Sequence, residues 1–247
     1  EDQKSELGEM YAEMISGLKE IMTLEAVLPV PEGQIEVDTA EKLLEALGNQ
    51  ENPLTLRLTA DMTVSETVSV TGEVTLDLNG QTLTWGENAK ANGSCLFWVE
   101  EGAALTITDS TDTVGYTTDY TVMTSTANGE TTTEATETRT AEAKGGFIRA
   151  TTADGNTSGD DTQFAAVISV NGGTVTLENG IIDGNNNVRG ILVEKNGAVI
   201  MKNGAVINGK ALLSSGGQYG CGIYVRNGRL DMTGGIVAEN NKDTGAW

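Results

Sequence analysis

The chain has 247 residues, a formal net charge of −21, two Cys and no His. The acid excess excludes broad phosphate-neutralising contact with nucleic acid, and the missing His removes the commonest neutral-pH acid–base, the Ser–His and Cys–His nucleophile pairs and most zinc sites. No apolar run reaches the roughly 20 residues of a membrane-spanning helix.

Charge is uneven along the chain. Residues 1–51 hold 13 acids and 3 bases, residues 52–188 hold 19 and 5, and residues 189–247 hold 4 and 7, a net of +3. The acidic bulk disfavours anionic polysaccharides away from the basic last stretch and otherwise reads as a solvated surface. No signal peptide is visible, and the numbering is expected to start after one was removed.

Residues 5–28 place Leu7, Met10, Tyr11, Met14, Leu18, Ile21 and Met22 on one helical face. "VDTAEKLLEALG" predicts a second helix, capped by Asp38 or Thr39, with Glu41 in its first turn and Gly48 just past its end. The second helix is expected to cap an open stack of strands, giving an N-terminal helical segment and cap over residues 1–50. The first needs an apolar partner: an outward stripe of Leu96, Trp98, Val167, Leu192 and Tyr224, or a second copy of the chain.

From residue 51 the pattern changes to short alternating runs separated by Gly and Asn. "PLTLRLTADMTVSETVSVT" reads as a first coil of three strands, "GEVTLDLNGQTLTWGENAKANGSCLFWVEE" as a second, and "GAALTITDS" opens a third that "GGFIRATTADGNTSGDDTQFAAVISVN" completes. Between those two pieces, residues 108–140 contain 14 Thr. Alternation on both sides of Asn128-Gly129 predicts a projecting hairpin within an insert at 109–144, with Tyr120 opposite Glu137 and Val122 opposite Ala135. It reads equally as decoration or as a recognition arm.

After residue 171, Asn-Gly recurs at 179–180, 196–197, 203–204, 208–209 and 227–228. Asn-Gly is a strong hairpin signal, but two interlaced families of turns returning every 24–31 residues mark a solenoid instead. Each unit reads strand, tight turn, strand, loop, strand, with no helix. Inward positions alternate as Val74, Leu76, Leu78; Leu105, Ile107; Val175, Leu177; Val199, Met201; Leu230, Met232. The expected fold is all-β, a parallel β-helix of about five to six coils over residues 51–247.

Stacked coils place equivalent residues about 5 Å apart, so clustered carboxylates can be sought in columns. Beside the first turn the outward column runs Asp77, Thr108, Glu178, Lys202, Thr233; on the second strand it runs Thr84, Arg149, Asp183, Asn208, Ala238. Glu178 is expected to meet Lys202, and Asp183 to lie beside Arg149, as surface ion-pair ladders. No pair of facing carboxylates of the glycosidase kind emerges, and no catalytic residue is assigned. Cys95 and Cys221 each lie seven residues before a coil-opening Gly and three coils apart. At ~4.8 Å per coil that is about 14 Å, beyond the ~7 Å Cα limit of a disulfide, so both are expected to be buried free thiols.

Two further features point to ligands. "DGNTSGDD" spaces oxygen donors at Asp154, Asn156, Asp160 and Asp161, which makes Ca2+ the candidate cation, although Ala165 stands where an EF-hand loop needs its bidentate acid. Trp85, Trp98 and Tyr224 read as exposed aromatics able to stack on neutral sugar rings, with cover by the first helix as the alternative for Trp98.

"VTLDLNGQTL", "GAALTITDS" and the "GGxI…GIYVxNG" pattern resemble the right-handed parallel β-helix, pectate-lyase-like surface proteins of anaerobic bacteria, over about residues 35–247. The resemblance implies secretion, cell-surface or cell-wall attachment and an adhesin-like role with a glycan or host surface protein as partner. The lyase active-site constellation of that superfamily has no matching residues here. The expected function is therefore non-catalytic binding; a polysaccharide lyase or glycoside hydrolase, and a structural spacer, are the alternatives.

Residues 228–247 supply two strands and stop without a capping segment. The expectation is a fragment whose parent continues with more coils, and which in isolation self-associates through this open coil or through the N-terminal helix.

Overall fold

A computed structural model describes residues 33–50, 53–86, 94–128, 131–151, 165–211 and 220–242. The chain divides into two compact units, Glu1–Gln34 and Ile35–Trp247. The helix expected at 5–28 lies outside the described residues, as does the Asp154 loop.

The second unit is built almost entirely of short strands. After β1 (Gln34–Val37) comes the helix α1 (Ala40–Asn49). Three strands follow, β2 (Leu54–Leu58), β3 (Met62–Val64) and β4 (Val68–Val70), then three more, β5 (Glu73–Asp77), β6 (Thr82–Trp85) and β7 (Cys95–Val99). β8 (Ala104–Thr108) leads into a long hairpin, β9 (Val114–Asn128) and β10 (Thr131–Lys144), after which β11 (Phe147–Ala150) and β12 (Ala166–Asn171) resume the pattern. The rest are β13 (Thr174–Leu177), β14 (Ile181–Asp183), β15 (Arg189–Glu194), β16 (Gly197–Met201), β17 (Ala205–Ile207), β18 (Lys210–Ala211), β19 (Ile223–Val225), β20 (Gly228–Met232), β21 (Ile236–Ala238) and β22 (Asn241–Lys242).

From β2 onward, strands three to five places apart in chain order pair with one another, in three main sheets. Their orders are β1-β2-β5-β8-β13-β16-β20, β3-β6-β11-β14-β17-β21 and β4-β7-β12-β15-β19. From β2 onward the pairings in these sheets are parallel, whereas β9 pairs with β10 antiparallel. Parallel ladders in sheets that share one core are consistent with a β-solenoid. The Asn-Gly pairs at 179–180 and 203–204 join strands of different sheets, so they are corners and not hairpin tips.

The reason is visible at the glycines. Gly180, Gly204 and Gly235 hold φ of +90°, +79° and +89°, a backbone that side-chain-bearing residues reach only at a cost. A Cβ on Gly204 would sit 2.5 Å from the Gly180 carbonyl oxygen, so the stack also leaves no room there.

Period-2 alternation sends one residue in two into the core. The column Val74–Leu105–Val175–Val199 is buried, as is Leu76–Ile107–Leu177–Met201. Each such aliphatic side chain contributes about 1.5–3 kcal/mol by leaving water. The last members differ from expectation. Leu230 and Met232 pair with Val199 and Met201 but remain 37% and 46% exposed, because β20 is the outermost strand of its sheet.

α1 begins at Thr39, whose hydroxyl accepts from the Lys42 amide at 3.3 Å. Asp38 is not the cap: it pairs with Lys42 at 2.7 Å, and that hydrogen bond lowers its carboxyl pKa. Gly48 is not beyond the helix end either. The helix runs through Gly48 to Asn49 and stops at Gln50, whose side chain donates to the Ser69 carbonyl at 2.6 Å and accepts from the Thr71 and Gly72 amides at 2.7 and 3.0 Å. Buried Leu43 and Leu47 join the same core as β3 and β4.

Two registers differ from the sequence reading. In the hairpin, Tyr120 faces Arg139 and Val122 faces Glu137, because Asn128 pairs with Thr131 as the last rung. The shift is two residues, so every side chain keeps its expected face. In the second sheet, β14 keeps the 24-residue offset that β13 holds with β16, so Asp183 meets Ile207 rather than Asn208. Asn208 is the corner residue, at φ +51°.

Candidate functional site

Three aspartates close the turns after strands, each by accepting from the amide two residues on or its neighbours. Asp77 Oδ1 accepts from the amides of Asn79 and Ser110, both at 2.9 Å. Asp109 Oδ2 accepts from the Gly80 and Gly146 amides at 2.8 and 2.7 Å, and its Oδ1 from the Thr111 amide at 2.8 Å. Asp183 Oδ1 accepts from the Asn185 amide at 2.8 Å and from the Asn208 side chain at 3.1 Å, while Oδ2 meets Arg149 Nε at 2.7 Å. All three are buried. Their lone pairs are occupied by backbone amides, side-chain donors and Arg149, which is how a buried carboxylate is stabilised and not how a general acid or nucleophile is presented.

The two expected ion pairs form. Lys202 meets Glu178 at 2.8 Å on the surface, and Arg149 meets Asp183 at 2.7 Å. The second is not a surface rung, since the Asp183 side chain is only 3% exposed. Asp109, whose three amide bonds tie consecutive coils together, was not recognised from sequence. The signal was present: Asp-x-Asn at 77–79 and 183–185 and Asp-x-Thr at 109–111 share one spacing, with side chains that hydrogen-bond two residues ahead.

The thiols are free and buried, as expected. Burial pushes the Cys95 pKa up to about 12, which removes it as a nucleophile at neutral pH. Among the described residues no group of three or more His, Cys, Asp or Glu is arranged to hold a metal ion.

The three aromatic candidates separate. Trp85 ends β6 fully buried, so it presents no stacking face; its position puts it on the inward side of the Val64–Trp85 pairing. Trp98 and Tyr224 are half-buried. Parallel register sets them on one line across the third sheet, Ser69–Trp98–Ser169–Leu192–Tyr224. Three strand spacings separate the two rings, about 14 Å. Ser169 and Leu192 between them are buried, so this is two separate rings rather than a continuous platform. The expected stripe also splits: Trp98 is beside Ser169, not Val167, and Leu96, Val167 and Leu192 are all buried.

Arg189 supports the Tyr224 end. It is fully buried, its Nε donates to the Gly220 carbonyl at 2.9 Å, and its guanidinium carbon lies 5.4 Å from the Tyr224 ring centroid. A cation in that position fixes the ring and is worth about 0.5–2 kcal/mol.

Open grooves flank α1. One, of about 320 Å3, contains Glu36, Lys42 and Glu45; another, of about 430 Å3, runs beside Gln50, Glu66 and Ser69. Neither includes Trp98 or Tyr224. No helix among the described residues is long and apolar enough to cross a membrane.

Comparison with protein-family models, curated proteins and solved structures finds no match for this chain.

Proposed function

We infer that the chain is a non-catalytic extracellular surface protein that binds a glycan or a host surface protein. The observation that carries this is the shared register line of Trp98 and Tyr224, with Arg189 behind the second ring. Rings held on a rigid sheet lose little conformational entropy on stacking against a sugar. The carboxylates that would serve a hydrolase, Asp77, Asp109 and Asp183, are engaged by amides, side-chain donors and Arg149.

The finer architecture belongs to the same reading: a right-handed, pectate-lyase-like β-helix of about five to six coils with α1 as its N-terminal cap. Support for the hand is the general preference for right-handed crossovers between parallel strands. Support for the cap is that α1 joins its core to β3 and β4, the outermost strands of their sheets. Cell-surface location and calcium in the Asp154–Asn156–Asp160–Asp161 loop complete the proposal.

A glycan array run beside an assay for released reducing sugar and unsaturated uronate tests it. Retention of a glycan without product, lost in Trp98→Ala and Tyr224→Ala at unchanged circular dichroism, is the expected result. Product release would establish a hydrolase or lyase, and neither retention nor product would leave the spacer.

A further inference from the structure

We propose that Asn187 supplies an oxygen ligand to a Ca2+ ion shared with the Asp-rich connection at 152–164. The proposal rests on the calcium reading of Asp154, Asn156, Asp160 and Asp161 given above, and adds a ligand from the turn between β14 and β15.

The placement comes from described residues at both ends of that connection, between β11 and β12. Asn187 Nδ2 donates to the Thr151 carbonyl at 3.0 Å, where the connection leaves. The Arg189 amide donates to the Ala165 carbonyl at 3.2 Å, where it returns. Residues 187–189 therefore hold both ends. Ala165 stands where an EF-hand loop places its bidentate acid, so the end that lacks an acid lies against this turn.

Asn187 uses only half of its amide. The residue is 2% exposed, and its Oδ1 is buried and accepts no hydrogen bond among the described residues. Burying an acceptor unpaired is unfavourable, so this oxygen calls for a partner. Asn185 gives the contrast. Its Nδ2 makes the same contact with the adjacent carbonyl, Ala150, at 3.0 Å, but Asn185 is half-buried.

The surroundings select a cation as that partner. Residues 152–164 carry three acids and no Lys or Arg. Arg149, on β11, is already paired with Asp183 Oδ2 at 2.7 Å, and Arg189 Nε donates to the Gly220 carbonyl at 2.9 Å. Ca2+ takes about six to eight oxygens, neutral amide oxygens among them. Asp154, Asn156, Asp160 and Asp161 offer an incomplete set, and Asn187 Oδ1 extends it without adding charge. A cation held this way ties the connection to the turn that follows β14, so Ca2+ also stabilises the stack by mass action.

Calorimetric titration of the full chain with Ca2+, beside thermal melting in Ca2+ and in chelator, tests this. The wild type should bind Ca2+ and melt higher with it, and Asp160→Ala should abolish both effects. Asn187→Ala should weaken binding roughly tenfold or more. Asn185→Ala removes an equivalent carbonyl contact and should bind like the wild type. Asn187→Asp keeps an oxygen but loses the donor to Thr151, and should bind at least as tightly as the wild type. That variant separates a ligand from a strut, and it decides the matter if Asn187→Ala does not fold. A wild type that binds no Ca2+, or binding that survives Asp160→Ala, would overturn this proposal together with the calcium reading. Binding that Asp160→Ala abolishes but Asn187→Ala leaves unchanged, that Asn187→Asp weakens, or that Asn185→Ala weakens equally would overturn this proposal alone.

Discussion

The Asn203 side chain donates to the Asn179 side-chain oxygen at 3.0 Å, across 24 residues of sequence. That separation is the spacing of the repeat, so two Asn-Gly dipeptides that each look like a hairpin tip are one rung of a ladder. Other asparagines bind the preceding turn of chain in the same manner: Asn79 donates to the Leu58 carbonyl at 2.9 Å, Asn185 to Ala150 at 3.0 Å and Asn240 to Val206 at 3.0 Å. Because the Asn179–Asn203 rung is partly in water, Asn203→Ala should cost only about 0.5–1.5 kcal/mol in urea unfolding. A cost near zero would show that the rung is not held in solution.

The glycine beside that rung is far less replaceable. Gly204→Ala keeps the positive φ demand and puts a Cβ 2.5 Å from the Gly180 carbonyl oxygen. The expected loss is more than about 2 kcal/mol, from left-handed strain plus a backbone shift. Thermal melting of Gly204→Ala beside Asn203→Ala gives the comparison; equal melting points would contradict the tight corner.

Asp109 should be the costliest surface-adjacent carboxylate to remove. Asp109→Ala leaves the amides of Gly80, Gly146 and Thr111 without their acceptor, the first of them in the preceding coil and the second beyond the hairpin insert. The loss should be about 3 kcal/mol or more. Asp119→Ala on the exposed hairpin, where Asp119 accepts from the Thr140 hydroxyl at 2.7 Å, is the control and should stay within about 0.5 kcal/mol. Similar losses at both positions would remove Asp109 from its structural role.

Cys95 gives a pH signature. Burial raises its pKa from 9.0 to about 12, so the folded chain holds this proton more tightly than the unfolded chain. The stabilisation from that neutral thiol is fully present below pH 9.0 and is lost as pH rises through the window to about 12. Within it, this group should cost about 1.4 kcal/mol per pH unit. Urea unfolding at stepped alkaline pH should therefore fall more steeply for the wild type than for Cys95→Ala; parallel slopes would contradict a buried thiol.

Much of this fold could be read from residue spacing. The columns from Val74 to Met201 follow from period-2 alternation, and the Lys202–Glu178 and Arg149–Asp183 contacts follow from stacking. Less was legible where two signals competed. Counting from the loops placed Asn208 beside Asp183, whereas Gly180 and Gly204 set the true offset and move Ile207 there. Asn128-Gly129 marked the hairpin but not its last rung, because cross-strand hydrogen bonding of Asn128 with Thr131 decides the register. Trp85 read as surface because it follows a strand of alternating Thr; its inward phase, with Leu83, buries it. In Leu96, Val167 and Leu192 the alternation marks the outward face, yet all three are buried, and nothing in a strand's own sequence reports what covers it.

Every site above depends on strands distant in sequence lying side by side, in parallel and in register. Methyl-labelled nuclear Overhauser spectroscopy tests this at Val175, whose side chain is buried between those of Leu105 and Val199. The stacked account predicts strong cross-peaks from the Val175 methyls to those of both Leu105 and Val199, 70 and 24 residues away. If Asn179-Gly180 closes a hairpin instead, Val175 will show contacts to residues just past that turn and none to Leu105 or Val199, which would contradict the account.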